Sequence, residues 1–145
     1  MAEVIAITNQ KGGVGKTVST VSLGVCLAED HKKVLLIDFD PQGNLTKGLG
    51  YRDSSLYSYS LKDLLINEVN EIDADWHDYI IHTDENVDLI PANISLAGVD
   101  IQLSNVMSRE TIFKRALDNF KKNYDYILID SNPEFIYNQW FKCCR

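Results

Sequence analysis

The feature that most constrains the fold is a glycine-rich loop between an apolar strand and a helix. A strand is predicted at 4–8, where β-branched and apolar residues run together, as in strands buried on both faces of a parallel sheet. The loop reads Lys11-Gly12-Gly13-Val14-Gly15-Lys16-Thr17, and a helical pattern begins at Lys16. A second apolar strand follows at 34–38, so the sequence predicts a doubly wound α/β sheet.

The loop has the composition of a phosphate-binding turn. Its glycines let successive backbone N–H groups point inward at phosphate oxygens, and the following helix adds its positive end. Lys16 can reach the β- and γ-phosphates, and the Thr17 hydroxyl can ligate Mg²⁺. The general pattern G-x-x-x-x-G-K-[ST] has glycine where Gln10 stands. The alternative, a glycine-rich turn that binds nothing, is disfavoured by the flanking strand and helix.

Three carboxylates stand at the ends of predicted strands. Asp38 and Asp40 close the strand at 34–38, and Asp130 closes a strand predicted at 126–130. The carboxyl ends of strands in an α/β sheet face the ligand crevice, so these side chains are predicted near the phosphates. A single Asp at a strand end is more often a turn cap. Together with the glycine-rich loop, the three favour a magnesium-binding edge, with Asp130 acting through water.

Capping and periodicity predict the remaining elements. Residues 41–60 are interpreted as a loop, after which Ser60 and Asp63 form a capping box that begins a short helix. The acidic segment at 67–86 is weakly patterned, and no element is assigned there.

Three more elements follow the acidic segment. A third strand is predicted at 87–91 and a short helix at about 95–105. Ser108 is expected to cap a longer helix. The apolar stripe of that helix is expected in the core and comprises Ile112, Phe113, Ala116, Leu117 and Phe120.

Three motifs carry a family resemblance. The stretch from Thr8 to Thr17 resembles the deviant P-loop of the ParA/MinD ATPases. LIDFDPQGN, at 36–44, is similar to the second signature of the ParA/Soj branch, and YDYILID, at 124–130, resembles the third motif. The resemblance covers residues 1 to about 131. It implies a P-loop NTPase fold, a mostly parallel doubly wound sheet with flanking helices.

The resemblance implies how ATP or ADP would be held. Lys16 would neutralise the phosphates. Lys11 would be the signature lysine that reaches into the partner's active site when two subunits enclose ATP, with Gly12 at that subunit contact. Both lysines would act in catalysis. The nucleotide-binding set would be Lys11, Gly12, Gly13, Val14, Gly15, Lys16 and Thr17.

The resemblance also implies a metal and a water site. Thr17 would hold Mg²⁺, and Asp38 and Asp130 would support it. Asp40 would orient or activate the attacking water. These roles suit phosphoryl transfer, in which positioning and charge stabilisation supply most of the catalysis.

The function implied is an ATP-driven switch of plasmid or chromosome partitioning. Its ATP-bound homodimer would bind DNA nonspecifically on the nucleoid and would be activated by a ParB-like protein. The alternative is a nucleotide-binding fragment without turnover or DNA binding. An iron–sulfur reductase would need cysteine ligands, and none lies between Cys26 and Cys143. A MinD-like membrane regulator would need a C-terminal amphipathic helix, which the tail does not supply.

Composition and charge limit the partners. The net charge is −7 and the lysines and arginines are scattered, so we expect no appreciable DNA binding by this chain at physiological salt. No apolar run is long enough for a membrane span, and no basic region precedes an apolar stretch at the amino terminus. A cytoplasmic protein without membrane contact is expected. Cys26 is expected in the core.

The carboxyl-terminal residues depart from the family pattern. Two domains are expected: 1–130 as the N-terminal part of a ParA-like ATPase domain, truncated after about four core strands, and 131–145 as an atypical tail. Relatives continue with a small residue and two prolines, whereas this chain reads Ser131-Asn132-Pro133. The tail is therefore interpreted as the product of a truncation or frameshift. The alternative is a short homologue whose aromatic tail covers the open edge of the first strand.

Overall fold

A computed structural model describes residues 1–8, 11 and 15–132 of the chain. The predicted loop residues Gly12, Gly13 and Val14, and the tail beyond Asn132, lie outside the described residues. The elements follow in this order: β1 (Glu3–Ile7), α1 (Lys16–Glu29), β2 (Val34–Phe39), α2 (Asn44–Gly48), α3 (Leu61–Val69), β3 (Ile81–His82), β4 (Asp88–Ile90), α4 (Val99–Gln102), α5 (Arg109–Phe120) and β5 (Tyr126–Ser131).

The strands form one sheet in the order β1-β5-β2-β4-β3. The first four run parallel, and the two-residue β3 pairs antiparallel with β4. This confirms the predicted α/β fold with a mostly parallel sheet. The strands at 4–8, 34–38, 87–91 and 126–130 are confirmed with small shifts in their bounds, whereas β3 lies in the acidic segment where no element was assigned.

Alternation along β2 builds an apolar layer on each face of the sheet. All six residues of β2 are buried. Leu35, Ile37 and Phe39 belong to the cluster that includes the apolar faces of α3 and α5. Val34 and Leu36 belong to the opposite cluster, against which α1 packs. Five of the six residues of β2 are apolar because both faces of the strand are covered.

The apolar stripe of α5 is confirmed as core. Its five predicted residues are all at most 3% exposed. Phe113 packs edge-to-face on Phe39, with 5.1 Å between the ring centroids. The capping box of α3 is also confirmed, because the Ser60 N–H donates to Asp63 Oδ2 at 2.8 Å.

Helix α1 differs from the expectation that Cys26 lies in the core. Val18 is 70% exposed and Cys26 is exposed, so the prediction that Cys26 is a core residue is wrong. Thr20 and Gly24 face the sheet instead. A Cβ on Gly24 would lie 2.7 Å from Leu36 Cδ2, so a close approach of helix and strand selects the small residues of this helix.

Three other local predictions are corrected. The segment 41–60 is not all loop, because it holds α2 and a 3₁₀ turn, Ser54–Leu56. Ser108 precedes α5 with φ of 60°, and its side chain caps no described residue of that helix. The short helix predicted at about 95–105 is a 3₁₀ turn, Ile94–Gly98, that continues into α4. Among the described residues, no helix has the length and apolar character to cross a membrane.

Candidate nucleotide site

The candidate site lies where the carboxyl ends of three adjacent strands meet the start of α1. In the sheet register, Asp130 of β5 stands between Ile7 of β1 and Asp38 of β2. Gly15 precedes α1 with φ of 82°, a conformation that L side chains adopt at a cost. The sheet thus places the end of β1, the start of α1 and two strand-terminal carboxylates together, as the sequence predicts.

Thr17 and Asp130 are in direct contact. The Thr17 hydroxyl donates to Asp130 Oδ2 at 2.6 Å, which joins the first turn of α1 to the end of β5. Burial raises the pKa of Asp130, and repulsion from Asp40 adds to the rise. The Thr17 hydrogen bond and the charge of Lys16 oppose the increase. Two oxygen ligands predicted for one metal therefore lie within hydrogen-bond distance of each other.

The two lysines differ in their surroundings. Lys16 is the first residue of α1 and is partly buried, and its backbone carbonyl accepts a hydrogen bond from the Thr20 hydroxyl at 2.7 Å. Its charge acts on Asp130, so its side chain belongs to the same cluster. Lys11 is exposed. This exposure is compatible with the expectation that Lys11 reaches toward a second subunit.

Asp38 is fully buried and is held by the segment that follows it. Its Oδ1 accepts the Asp40 N–H at 3.1 Å. Its Oδ2 accepts both the N–H and the hydroxyl of Thr46, at 2.9 and 2.7 Å. Both oxygens are thus engaged by protein donors, so Asp38 is suited to supporting a neighbouring metal ligand rather than to binding a metal directly. Burial nevertheless raises the pKa of Asp38 to about 7, with smaller contributions from Asp130 and Asp40.

Asp40 is more accessible than Asp38. It is partly buried, and its Oδ1 accepts the Gln42 N–H at 2.9 Å and the Asn132 side-chain amide at 3.4 Å. It also raises the pKa of both Asp38 and Asp130 through charge repulsion, so the three carboxylates lie close together. Asp40 can therefore accept a hydrogen bond from a bound water while its backbone stays fixed by Asp38.

Thr46 is a site residue that the sequence reasoning missed. Its hydroxyl donates to Asp38 and accepts the Ala92 N–H at 3.0 Å, so it ties β2 to the backbone just beyond β4. Gly43 makes this close approach possible, because its φ is 63° and a Cβ there would lie 2.7 Å from the Ala92 carbonyl oxygen. In the sequence, Thr46 follows a single apolar residue, Leu45, between polar neighbours. One apolar residue shows no periodicity from which the burial of Thr46 could have been predicted.

The donor set fits a hard divalent cation. Carboxylate and hydroxyl oxygens are the ligands that Mg²⁺ prefers, and the mutual repulsion of Asp38, Asp40 and Asp130 would be relieved by positive charge. No group of three or more His, Cys, Asp or Glu residues in the described part of the chain forms a metal cage. Magnesium ions commonly use one or two protein ligands together with water and phosphate oxygens, so a magnesium site does not require such a cage.

The parallel sheet and the convergent residues at its edge define the P-loop class of α/β proteins. A family model described as an AAA domain matches residues 2–138. The chain is 52% identical over 133 residues to the sporulation initiation inhibitor protein Soj of Bacillus subtilis, covering 92% of this chain and 51% of that protein. It is 42% identical over 137 residues to the chromosome partitioning protein ParA of Caulobacter vibrioides, covering 90% and 48%. The chain belongs to the ParA/Soj family of partitioning ATPases.

A solved structure supports the same fold. Cobyrinic acid a,c-diamide synthase from Mycobacterium smegmatis, with a bound ATP analog and magnesium, matches with a TM-score of 0.87 and 36% identity. The match covers 99% of this chain and 57% of the synthase chain. The chain thus spans about half the length of the curated relatives that it matches.

Removing the Thr46 hydroxyl should loosen the loop that carries Asp40. In Thr46→Val the Ala92 N–H loses its acceptor and Asp38 loses one donor, so we expect a loss of about 1–3 kcal/mol in the free energy of unfolding. Thr46→Ser keeps the hydroxyl and should retain most of the stability. Urea denaturation of wild type and the two variants measures the free energy of unfolding. An equal loss in Thr46→Val and Thr46→Ser would contradict the role assigned to the Thr46 hydroxyl.

The raised pKa of Asp38 should make its stability contribution depend on pH. An acid whose pKa rises on folding favours the folded state at low pH, and that contribution is lost as pH rises from its ordinary value of 3.8 to about 7. The unfolding free energy of wild type relative to Asp38→Asn should fall by up to about 4 kcal/mol between pH 4 and pH 8, at about 1.4 kcal/mol per pKa unit. Asp84→Asn, at an exposed carboxylate, is the control. If the difference in unfolding free energy between wild type and Asp38→Asn did not change with pH, the raised pKa of Asp38 would be refuted.

Proposed function

We propose that this chain binds Mg-ATP and Mg-ADP at the edge formed by β1, β5 and β2, and serves as the nucleotide-dependent switch of a DNA-partitioning system. The observation that carries the proposal is the Thr17–Asp130 contact at the start of α1. It unites a hydroxyl and a carboxylate suited to magnesium beside Lys16, where a helix N-terminus favours bound phosphate.

Each residue of the cluster has a proposed role. Lys16 and the N–H groups at the start of α1 bind the phosphates. Thr17 and Asp130 hold Mg²⁺, which when bound would supply positive charge against the phosphate oxygens. Asp38 fixes the backbone of Asp40, and the Asp40 carboxylate orients the attacking water. Lys11, which is exposed, would contact the nucleotide of a second subunit.

The wider cycle follows from the family. Relatives are named as chromosome-partitioning proteins. Their names support three parts of the proposal: a nucleotide-dependent homodimer, a ParB-like activating partner and nonspecific binding of DNA. The net charge of −7 argues against DNA binding through the residues of this chain alone. A cytoplasmic location, near the nucleoid, is part of the same proposal.

A second candidate function is nucleotide binding without turnover. The observation that favours it is the position of β1, which within the described residues pairs with β5 alone and lies at an edge of the sheet. The phosphate-binding loop follows this strand. Because catalysis depends on positioning within fractions of an ångström, a strand supported on one side can bind phosphate yet position it poorly for hydrolysis.

Substitution of Lys16 tests nucleotide binding. Lys16→Ala should weaken binding of Mg-ADP by at least about 30-fold, because truncating one partner of a desolvated charge pair costs about 2–5 kcal/mol. Isothermal titration calorimetry measures the two affinities. Lys114→Ala, at an exposed lysine on α5, should bind as wild type does. Equal affinity in wild type and Lys16→Ala would overturn the site.

Substitution of Asp40 separates binding from hydrolysis. Asp40→Ala should keep its affinity for Mg-ATP and lose ATP turnover by about 100-fold or more, the usual contribution of a positioned base. Phosphate release and calorimetry provide the two readouts, with Asp84→Ala as the matched carboxylate control. If both proteins bind ATP and neither releases phosphate faster than the solution without protein, the second candidate function is correct. Equal turnover above that background would contradict the role of Asp40.

A further inference from the structure

A small cavity opens behind the loop that carries Asp40. Its volume is about 220 Å³, enough for one large side chain with its neighbouring backbone. The walls come from the loop after β2, the residues after α2 and the segment after β4. Its lining includes Pro41, Lys47, Tyr51, Arg52, Tyr57 and Ile94.

The cavity is positively charged in an acidic chain. Lys47 and Arg52 line it, and none of the described residues that line it is Asp or Glu. Neither cation forms an ion pair with a described residue. Asp53, the nearest acid in sequence, accepts the Ser55 N–H at 2.9 Å and does not line the cavity. With a net charge of −7 over the chain, this local reversal of sign favours an anionic ligand.

Apolar and aromatic groups line the same cavity. Ile94 is 69% exposed at its rim, and Pro41 is partly buried on the loop side. The hydroxyls of Tyr51 and Tyr57 reach backbone carbonyls only at 3.5 Å, which is long for O–H donors, so both can also serve a ligand. An exposed isoleucine beside two tyrosines offers a contact for one apolar side chain.

One wall of the cavity is formed by the loop that carries Asp40. Gln42, which lines the cavity, donates its N–H to Asp40 Oδ1 at 2.9 Å. Ala92, on the opposite wall, is tied through Thr46 to Asp38. A ligand in the cavity therefore contacts the two backbone segments that fix the carboxylates of the nucleotide site.

We propose that this cavity binds a short acidic segment of a partner protein. Its carboxylates pair with Lys47 and Arg52, and one apolar side chain packs against Ile94 and Pro41. Charge complementarity selects the acidic partner, and the volume limits the inserted part to a single side chain. Binding of the acidic segment in this cavity does not depend on ATP hydrolysis.

The test uses ¹⁵N-labelled chain and the peptide acetyl-Asp-Glu-Leu-Asp-Glu-amide, with acetyl-Asn-Gln-Leu-Asn-Gln-amide as its neutral match. We expect the acidic peptide to shift the amide resonances of Gln42, Lys47, Tyr51 and Arg52, and to bind at least about tenfold more tightly than the neutral one. The double variant Lys47→Glu/Arg52→Glu should weaken binding by at least about tenfold.

The control carries the same change of charge elsewhere. Lys114→Glu/Lys122→Glu alters two exposed lysines outside the cavity and should bind the acidic peptide as wild type does. The proposal is overturned if the acidic peptide shifts none of the four resonances up to millimolar concentration. It is equally overturned if both double variants bind alike, or if an oligothymidylate binds these residues more tightly than the acidic peptide.

Discussion

The Asp38 carboxylate is buried at the end of β2 and accepts three hydrogen bonds from the segment that follows. These bonds turn the chain sharply after the strand, place Asp40 beyond the strand end, and bring Thr46 back against the sheet. Thr46 in turn accepts the Ala92 N–H and so fixes the exit of β4. One buried carboxylate thus sets the shape of two adjacent loops at the carboxyl edge of the sheet.

Burial of the Asp38 carboxylate lowers the stability of the fold but fixes the positions of the residues around it. Removing a carboxylate from water is unfavourable, which the raised pKa of Asp38 reflects, and the Thr46 hydrogen bonds only partly offset the cost. A buried network whose members are all engaged holds its shape firmly. Asp40 has a fixed backbone while its side chain keeps access to solvent, which suits its proposed role of positioning a water. A partner bound in the cavity beside this loop, as proposed, would contact the same backbone.

The two faces of the sheet are covered to different degrees. The α3 and α5 side is packed with fully buried aromatic and aliphatic residues, among them Phe39, Phe113 and Phe120. Helix α1 packs through small residues and leaves Val18 and Leu23 exposed. In β1, Glu3 is exposed and the other four residues are only partly buried. The candidate nucleotide site therefore lies at the edge of a sheet whose α3 and α5 side is more fully packed than its α1 side.

The sequence by itself determined the α/β class, four of the strands, the core face of α5 and the edge at which the site lies. Those features depend on local composition: uninterrupted apolar strands, a glycine-rich turn before a helix, and carboxylates at strand ends. Only the tertiary structure placed Thr46 between Asp38 and Ala92, buried Thr20 and Gly24 rather than Cys26, and set β3 beside β4. The Thr46–Ala92 hydrogen bond and the close approach of Gly24 to Leu36 join segments separated in the chain, and such contacts leave no periodic trace in the sequence. Strand β3 has only two residues, too few to show the alternation that predicts a strand.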